Sequence, residues 1–346
     1  MKIIVALIIF SIIIIFHELG HFLLAKKNGI KVNEFSLGLG PTLFGVRKGE
    51  TLYCIKLLPF GGACMMEGED GESSDSRAFN SKSVWARISV VAAGPVFNFI
   101  MAFVFSFIIV CATGYDSAVL NGVSEGYAAE EAGLMEGDKI VKMGNKNIHF
   151  YREISVYGMY HEGETVEVTY ERDGERYTTE LVPKYDEASG RYLYGFIGST
   201  AREKDTNNVF VLAKYSVYEV GYWIDSTIES LGMMIRGNVS VNDVSGPVGI
   251  VNLIGDSYEE SVSVGIFAAF LQMLYICVFL SANLGVMNLL PIPALDGGRL
   301  VFLIIEAIRG KKVNPEKEGM VHFIGLLVLL LFMVVIMFND IRKLFI

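Results

Sequence analysis

The sequence is poor in cysteine, in histidine and in positive charge, and each shortage argues against a class of protein. Its four cysteines are scattered, with no CxxC pair and no metal-ligand spacing, so a disulfide framework is not indicated. Acidic residues outnumber Lys and Arg, and the formal net charge of −9 argues against a nucleic-acid partner, which would need a basic excess. With five histidines in the chain, an ordered histidine motif is informative.

Apolar residues are in excess, at 52% of the chain with a mean hydropathy of +0.44. Four long apolar runs occupy residues 3–25, 88–113, 264–290 and 321–338. Each reaches or approaches the roughly 20 residues that a helix needs to cross a bilayer. The first run lacks a small-x-small cleavage site and continues to Lys26, so we interpret it as a span and not a signal peptide. The sequence predicts a polytopic α-helical membrane protein with four transmembrane helices.

The distribution of charge predicts the orientation of these spans. The connection after the first span carries nine Lys and Arg residues, and the short one after the third carries five. Residues 115–263 hold 25 acidic and 12 basic residues. The positive-inside rule therefore places the first and third connections in the cytoplasm and the long acidic segment outside. Lys2, Arg342 and Lys343 would then lie outside, against the rule.

The connection between the first two spans is too apolar for an ordinary cytoplasmic loop. Residues 34–41 and 51–58 are predicted to be extended, with a turn at residues 58–62 and a further short run at residues 63–66. Backbone of this kind at membrane depth needs satisfied hydrogen bonds or a wet cavity. The acidic tract that follows, residues 67–75, is predicted to be solvated.

The segment outside the membrane has the pattern of a folded domain followed by an amphipathic helix. Residues 164–171 and 177–183 alternate like strands around Asp173-Gly174, a hairpin signal. Residues 209–235 carry apolar side chains at helical spacing, interrupted by charges, which predicts a helix at the outer surface or against the bundle.

The first span contains the motif HExxH, as His17-Glu18-Leu19-Gly20-His21. On a helix, residues i and i+4 share a face, so both imidazoles can reach one metal ion, with Glu18 beside the attacking water. Ionisable groups inside a membrane are costly and usually functional. The alternative is that the two histidines are polar residues satisfied by neighbouring helices.

A catalytic zinc site needs a third protein ligand, and the candidate is Asp296 in the segment NLLPIPALDGG, residues 288–298. The two prolines there break a membrane helix, which is tolerated where the chain lines a cavity. The alternative makes Asp296 an N-cap for a helix that starts near Arg299, with Asn288 ending the previous helix.

HExxH in the first span together with NxxPxPxLDGG near the third resembles the site-2 protease family of intramembrane zinc metalloproteases, in its bacterial regulator-of-sigma-E branch. Further matches are EFSLG (residues 34–38), LPFGG (58–62), AGP with Asn98 (93–98) and SGPVGI (245–250). The family implies that His17, His21 and Asp296 bind Zn²⁺ and that Glu18 is the general base and then the acid. It also implies a membrane-reentrant β-sheet. The substrate-binding residues implied or expected are Asn288, Pro59, Gly61 and Gly62.

Residues 128–148 resemble the pattern of a PDZ domain, although Asn145-Lys146 replaces the usual Asn-Gly. There is room for one such α+β domain outside the membrane, where proteobacterial members have two. Ala63 also replaces a residue that is commonly aromatic in this branch. The expected organisation is two spans with HExxH and the sheet (1–113), a PDZ domain (114–200), an amphipathic juxtamembrane segment (201–263) and two final spans (264–346).

The expected activity is regulated intramembrane proteolysis: hydrolysis of peptide bonds within or next to the spans of single-span membrane proteins, such as anti-sigma factors or remnant signal peptides. At about 1.5 Å per residue, His17 lies past the bilayer midplane, towards the cytoplasm. The expected location is a bacterial cell (inner) membrane. The alternatives are a noncatalytic PDZ scaffold and a zinc carrier; His149, His161 and His322 do not form a path for a carrier.

Overall fold

The computed structural model describes residues 1–69, 71, 73–198, 202–203, 208–237 and 244–343. Within these residues the helices are α1 (Lys2–Lys27), α2 (Val84–Thr113), α3 (Ala128–Glu131), α4 (Tyr151–Tyr160), α5 (Val209–Ile235), α6 (Pro247–Val264), α7 (Ile266–Leu289), α8 (Asp296–Arg309) and α9 (Pro315–Lys343). The strands are β1 (Val32–Lys48), β2 (Thr51–Met66), β3 (Tyr115–Asp116), β4 (Leu120–Val123), β5 (Lys139–Met143), β6 (Lys146–Asn147), β7 (Val166–Arg172), β8 (Glu175–Leu181), β9 (Lys184–Asp186), β10 (Arg191–Leu193), β11 (Phe196–Gly198) and β12 (Arg202–Glu203). The chain divides into two compact units, Met1–Phe105 with Arg236–Ile346, and Ser106–Ile235.

Helices α1, α2, α7 and α9 are long and apolar enough to cross a membrane, which confirms the four predicted spans. The chain is therefore a multi-pass membrane protein. Lys2, at the start of α1, pairs through Nζ with Asp256 at 2.5 Å and with Glu259 at 3.4 Å, both on α6. This positive charge, which the predicted orientation would place on the side that the charge rule disfavours, is paired within the protein.

Strands β1 and β2 form a sheet beside α1, and each strand pairs through two shorter segments. Residues 34–37 of β1 have β2 partners on both sides: residues 52–55 on one side and residues 62–65 on the other. The second half of β1, residues 42–48, pairs with residues 51–56 of β2. The turn predicted at residues 58–62 does not end the strand: β2 stays extended through it, and Leu58 pairs with Leu39. The residues before and after this stretch pair with opposite sides of residues 34–37. Gly61, with φ +78°, allows the bend at that point.

Helix α6 was not predicted from the sequence. The contacts of its first turn account for the glycines of the SGPVGI motif at residues 245–250. The Asp340 carboxylate on α9 accepts hydrogen bonds from the backbone N–H groups of Gly246 at 3.1 Å and Gly249 at 2.8 Å. Free N–H groups at a helix start favour such an anion. A Cβ at Gly246 would lie 2.8 Å from Asp340 Oδ2, so the residue there must be glycine for the carboxylate to approach.

The unit Ser106–Ile235 contains a four-stranded sheet in the order β6-β5-β7-β8, and a second pairing of β4 with β11. Strands β7 and β8 form the predicted hairpin, and Asp173 and Gly174 both have positive φ in its turn. The predicted helix at residues 209–235 is confirmed as α5. Arg152 on α4 forms an ion pair with buried Glu219 on α5, which fixes these two helices together.

Candidate active site

His17 and His21 lie on one face of α1, as the i and i+4 spacing requires. Both side chains are buried, at 9% and 8% exposure, and their rings meet edge to face with centroids 4.9 Å apart. The two Nε2 atoms are 3.3 Å apart. The helix therefore presents two imidazole nitrogens to a single point in the protein interior.

Asp296, the first residue of α8, supplies a third donor atom at the same point. Its Oδ2 lies 3.2 Å from His17 Nε2 and 3.5 Å from His21 Nε2. Zinc bonds of about 2.0–2.1 Å in a tetrahedron separate neighbouring donors by about 3.3–3.4 Å, close to all three observed distances. Within the described residues, Oδ2 is buried without a hydrogen-bond partner, which costs free energy unless a cation binds it. The three residues thus fit a zinc ion.

The alternative assignment of Asp296 as a helix cap is wrong, because α8 begins at Asp296 itself with Leu295 in the N-cap position. Gly297 and Gly298, which follow Asp296, allow the backbone of the preceding loop to come close to the start of α8. A Cβ at Gly297 would lie 2.1 Å from Leu290 O, and one at Gly298 would lie 2.4 Å from Ile292 O. Only glycine lets the loop fold back this closely on the start of α8, and that fold directs Asp296 towards α1.

Helix α2 orients both histidines through their second ring nitrogens. His21 Nδ1 lies 2.9 Å from Val90 O, so the ring donates its proton there and leaves Nε2 free for a metal. His17 Nδ1 lies 3.2 Å from the side-chain amide of Asn98, which is fully buried. With a metal on Nε2, His17 Nδ1 carries the proton, and we expect Asn98 to present its carbonyl oxygen as the acceptor. Ser281 on α7 donates to Asn98 O at 2.8 Å.

Glycines allow α1 and α2 to approach closely at this site. A Cβ at Gly20 would lie 2.3 Å from Ala93 O. One at Gly94 would lie 2.3 Å from His21 Nε2 and 2.7 Å from His17 Cε1. Gly94 and Asn98 belong to the motif at residues 93–98, from which the sequence predicts no role for either; their spacing of four residues on one helix face was the available signal.

Glu18 lies next to the ligands in sequence and beside the sheet in space. It is half-buried, and its carboxylate lies near the backbone of Cys64 in β2. A Cβ at Gly62 would lie 3.1 Å from Glu18 Cγ and 2.7 Å from Ile14 Cγ2. The last part of β2, residues 62–66, thus runs along the acidic side chain. We call these residues the edge segment, since within the described residues they pair only with β1.

The structure places some of the expected substrate-binding residues at the site and others away from it. The amide nitrogen of Asn288, near the end of α7, lies 3.5 Å from His17 Nε2, and Gly62 lies beside Glu18. Gly61 contacts Leu39 within the sheet, and Pro59 is exposed. None of the contacts described for Pro59 or Gly61 reaches His17, His21 or Asp296.

We call His17, His21 and Asp296 the triad, and the other three histidines make their described contacts with other residues. His149 stacks on Tyr218 and His161 on Tyr157, both within the unit Ser106–Ile235. His322 on α9 accepts a hydrogen bond from the Ala294 backbone. In the part of the chain that the structure describes, one group of three His, Cys, Asp or Glu residues has metal-site spacing, and it is His17, His21 and Asp296.

The chain is similar to known proteins over most of its length. Residues 5–332 match peptidase family M50. A chain from Clostridium acetobutylicum is 38% identical over 98% of this chain and 97% of its own length. The zinc metalloprotease RasP of Bacillus licheniformis is 32% identical, and the regulator of sigma-W protease RasP of Bacillus subtilis is 31% identical, each over 98% of both chains.

Among solved structures, the PDZ domain of an SdrC-like protein from Listeria monocytogenes covers 24% of this chain and 86% of its own, at 20% identity and a TM-score of 0.21. That likeness is too weak to assign a fold. The family match spans both the HExxH helix and the Asp296 loop. One of the relatives is named a zinc metalloprotease and another a protease that regulates sigma-W. The chain therefore belongs to peptidase family M50, the site-2 protease family, and is a zinc metalloendopeptidase.

Proposed function

We propose that this protein is an intramembrane protease of a bacterial cell membrane that cuts single-span membrane proteins within or next to their transmembrane segments. Its metal site would consist of His17, His21 and Asp296, with Glu18 as the catalytic residue. The observation that carries the proposal is the triangle of donor atoms, 3.2–3.5 Å on a side, built on a membrane-spanning helix.

When bound, zinc lowers the pKa of a water molecule and polarises the carbonyl of the scissile bond. Glu18 takes the proton of the attacking water and passes it to the leaving amine. Gly62 and Cys64 of β2 flank the Glu18 side chain at the edge of the site. Val90 O and Asn98 keep the two imidazoles turned with Nε2 inwards, so neither ring has to reorient during the reaction.

A substrate helix hides its carbonyl groups in hydrogen bonds, so it must be extended before it can be cut. Among the described residues the edge segment pairs with a strand on one side, that of β1, and its other side runs beside Glu18, where an extended peptide can add as a further strand. Asn288, 3.5 Å from His17, is placed to hold the substrate backbone near the scissile bond. Pro59 and Gly61 would shape the bend of β2 that leads into this segment.

We call the addition of the substrate as a strand along the edge segment the clamp, and substitutions at the bend of β2 test it. Gly61→Ala and Pro59→Ala should lower cleavage while zinc content stays at the wild-type level, because the bend and not the triad is altered. Gly49→Ala is the matched control: Gly49 also has positive φ, +64°, but has no neighbour within 4 Å of an added Cβ. Unchanged cleavage in both bend variants, with a fully active control, would remove the clamp from the proposal.

We propose further that residues 114–200 form one PDZ domain outside the membrane and that the active site opens towards the cytoplasm. The charge distribution and the PDZ-like pattern of residues 128–148 support this. Single cysteines in place of exposed Glu187 and Arg77 would report the two sides. In intact spheroplasts, an impermeant thiol reagent should label the first and spare the second, and the reverse pattern would contradict the orientation.

Cleavage of a single-span substrate in proteoliposomes, with the cut mapped by mass spectrometry, tests the activity. A cut within or next to the span that is lost in Asp296→Ala supports the proposal; a cut only in soluble regions, or one retained by Asp296→Ala, contradicts it. Anti-sigma factors are the first substrates to test, since one relative is named a regulator of sigma-W protease. Remnant signal peptides are the second. A noncatalytic scaffold would show no cleavage at all.

A further inference from the structure

The loop that carries Asp296 contains an unusual backbone conformation. Ala294, two residues before Asp296, has φ +76°, and in the described part of the chain only Asp173 is another non-glycine residue with positive φ. Side chains other than glycine rarely adopt this conformation, because the Cβ approaches the following carbonyl oxygen. Ala294 lies at the third position of the turn formed by residues 292–295, where a positive φ is normally met by glycine or asparagine, so a contact from outside the loop can help to hold an alanine there.

That contact comes from α9. The backbone N–H of Ala294 donates a hydrogen bond to His322 Nδ1 at 2.9 Å. The neighbouring residues Pro291 and Pro293 have no backbone N–H to offer, so the Ala294 N–H is the donor through which this part of the loop can be held. Leu295 N–H turns back to Ile292 O at 3.2 Å and closes the bend locally.

One turn along α9, Gly325 brings the same face of the helix against the loop. A Cβ at Gly325 would lie 2.4 Å from Pro293 Cβ and 2.8 Å from Pro293 O. The ring of Phe302 on α8 also contacts His322, with centroids 5.6 Å apart. The imidazole is thus fixed between α8 and the loop, with Nδ1 directed at the Ala294 backbone.

We propose that His322 is a positioning residue for the metal site: it fixes Ala294 in its left-handed conformation and thereby sets the direction of Asp296. The inference rests on the proposed role of Asp296 as a ligand. His322 does not touch the metal; it acts through the backbone of the loop. Residues that hold a metal ligand in this way commonly change metal affinity by about 10- to 100-fold when they are replaced.

The test compares two replacements of His322. His322→Leu fills similar space but has no acceptor, and we expect it to weaken metal affinity about tenfold or more. His322→Asn places its side-chain oxygen near the position of Nδ1, and we expect it to recover most of that loss. Ile324→Ala is the matched control, because Ile324 lies on the same helix and is 54% exposed. Gel filtration and thermal melting show that each variant is folded.

The readouts are Co²⁺ affinity and the visible absorption spectrum of the Co²⁺-loaded protein, neither of which requires a substrate. Weaker binding and an altered spectrum in His322→Leu, with both restored in His322→Asn, support the proposal. Wild-type affinity and spectrum in His322→Leu, or equal losses in both variants, would overturn it. Asp296→Asn in the same series separates the two proposals: if it binds Co²⁺ like the wild type, the ligand assignment itself is wrong.

Discussion

The closest approach of α1 to α2 leads to the sharpest prediction, the loss of the metal site in Gly94→Ala. The added Cβ would lie 2.3 Å from His21 Nε2, 2.6 Å from His21 Cε1 and 2.7 Å from His17 Cε1. Ordinary contacts between such atoms are about 3.5 Å, so the nearest ring atom must move by about 1 Å. Zinc sites keep their ligand distances within about 0.2 Å.

Neither histidine ring can easily move by that amount. His21 is fixed through Nδ1 to Val90 O, and the ring of His17 lies against Asn98. Replacing a residue that supports a metal ligand commonly weakens metal affinity by about 10- to 100-fold. Gly94→Ala would displace both proposed histidine ligands directly, so we expect it to weaken zinc binding by at least about 100-fold. Cleavage should fall in parallel.

The assay is zinc content by mass spectrometry after purification and zinc affinity by competition with a chromophoric chelator. Gly319→Ala is the matched control, a glycine within α9 whose added Cβ would have no neighbour within 4 Å. It should keep its zinc and lose no stability, since alanine favours a helix. A Gly94→Ala protein that is folded and binds zinc with wild-type affinity would refute the packing of α2 against the two ligands.

Two further predictions concern residues around the site and around the sheet. Asn98→Ala should weaken zinc binding about tenfold, because His17 loses its Nδ1 partner, whereas Asn98→Asp keeps an acceptor and should lose less; equal affinity in all three proteins, by chelator competition, would contradict this role. Hydrogen bonds from Asn33, Ser73 and Lys31 hold the pKa of Glu67 at about 2, below its ordinary 4.5. Because the pKa is lowered on folding, this stabilisation is complete above about pH 5 and is lost as the pH falls towards 2. Melting temperatures should therefore drop less on acidification in Glu67→Gln, and parallel curves would contradict the assignment.

The residues proposed to bind the metal could be picked out from the sequence because their signals are local. HExxH fixes two ligands by helical spacing alone, and the LDGG segment follows two prolines that end a membrane helix. The four spans are likewise local, since the length and hydropathy of each run suffice. The structure adds the two distances from Asp296 to the histidines, which no local pattern contains.

The residues that support the triad could not be assigned from the sequence, because their roles depend on which helices cross. Gly94 and Asn98 are functional only because α2 packs against the HExxH face of α1. The sequence predicts no role for His322, because its contact with Ala294 joins residues 28 positions apart. The bend in β2 follows from pairing on both sides of residues 34–37, which alternation along the sequence does not show.

Cleavage by Glu18→Gln, measured beside the wild type with zinc quantified in both, tests the central claim most directly. The substitution keeps the size of the side chain and removes only its ability to take a proton. We expect both reconstituted proteins to hold about one zinc and only the wild type to cut a single-span substrate. Equal cleavage by the two proteins would show that the activity does not come from this site.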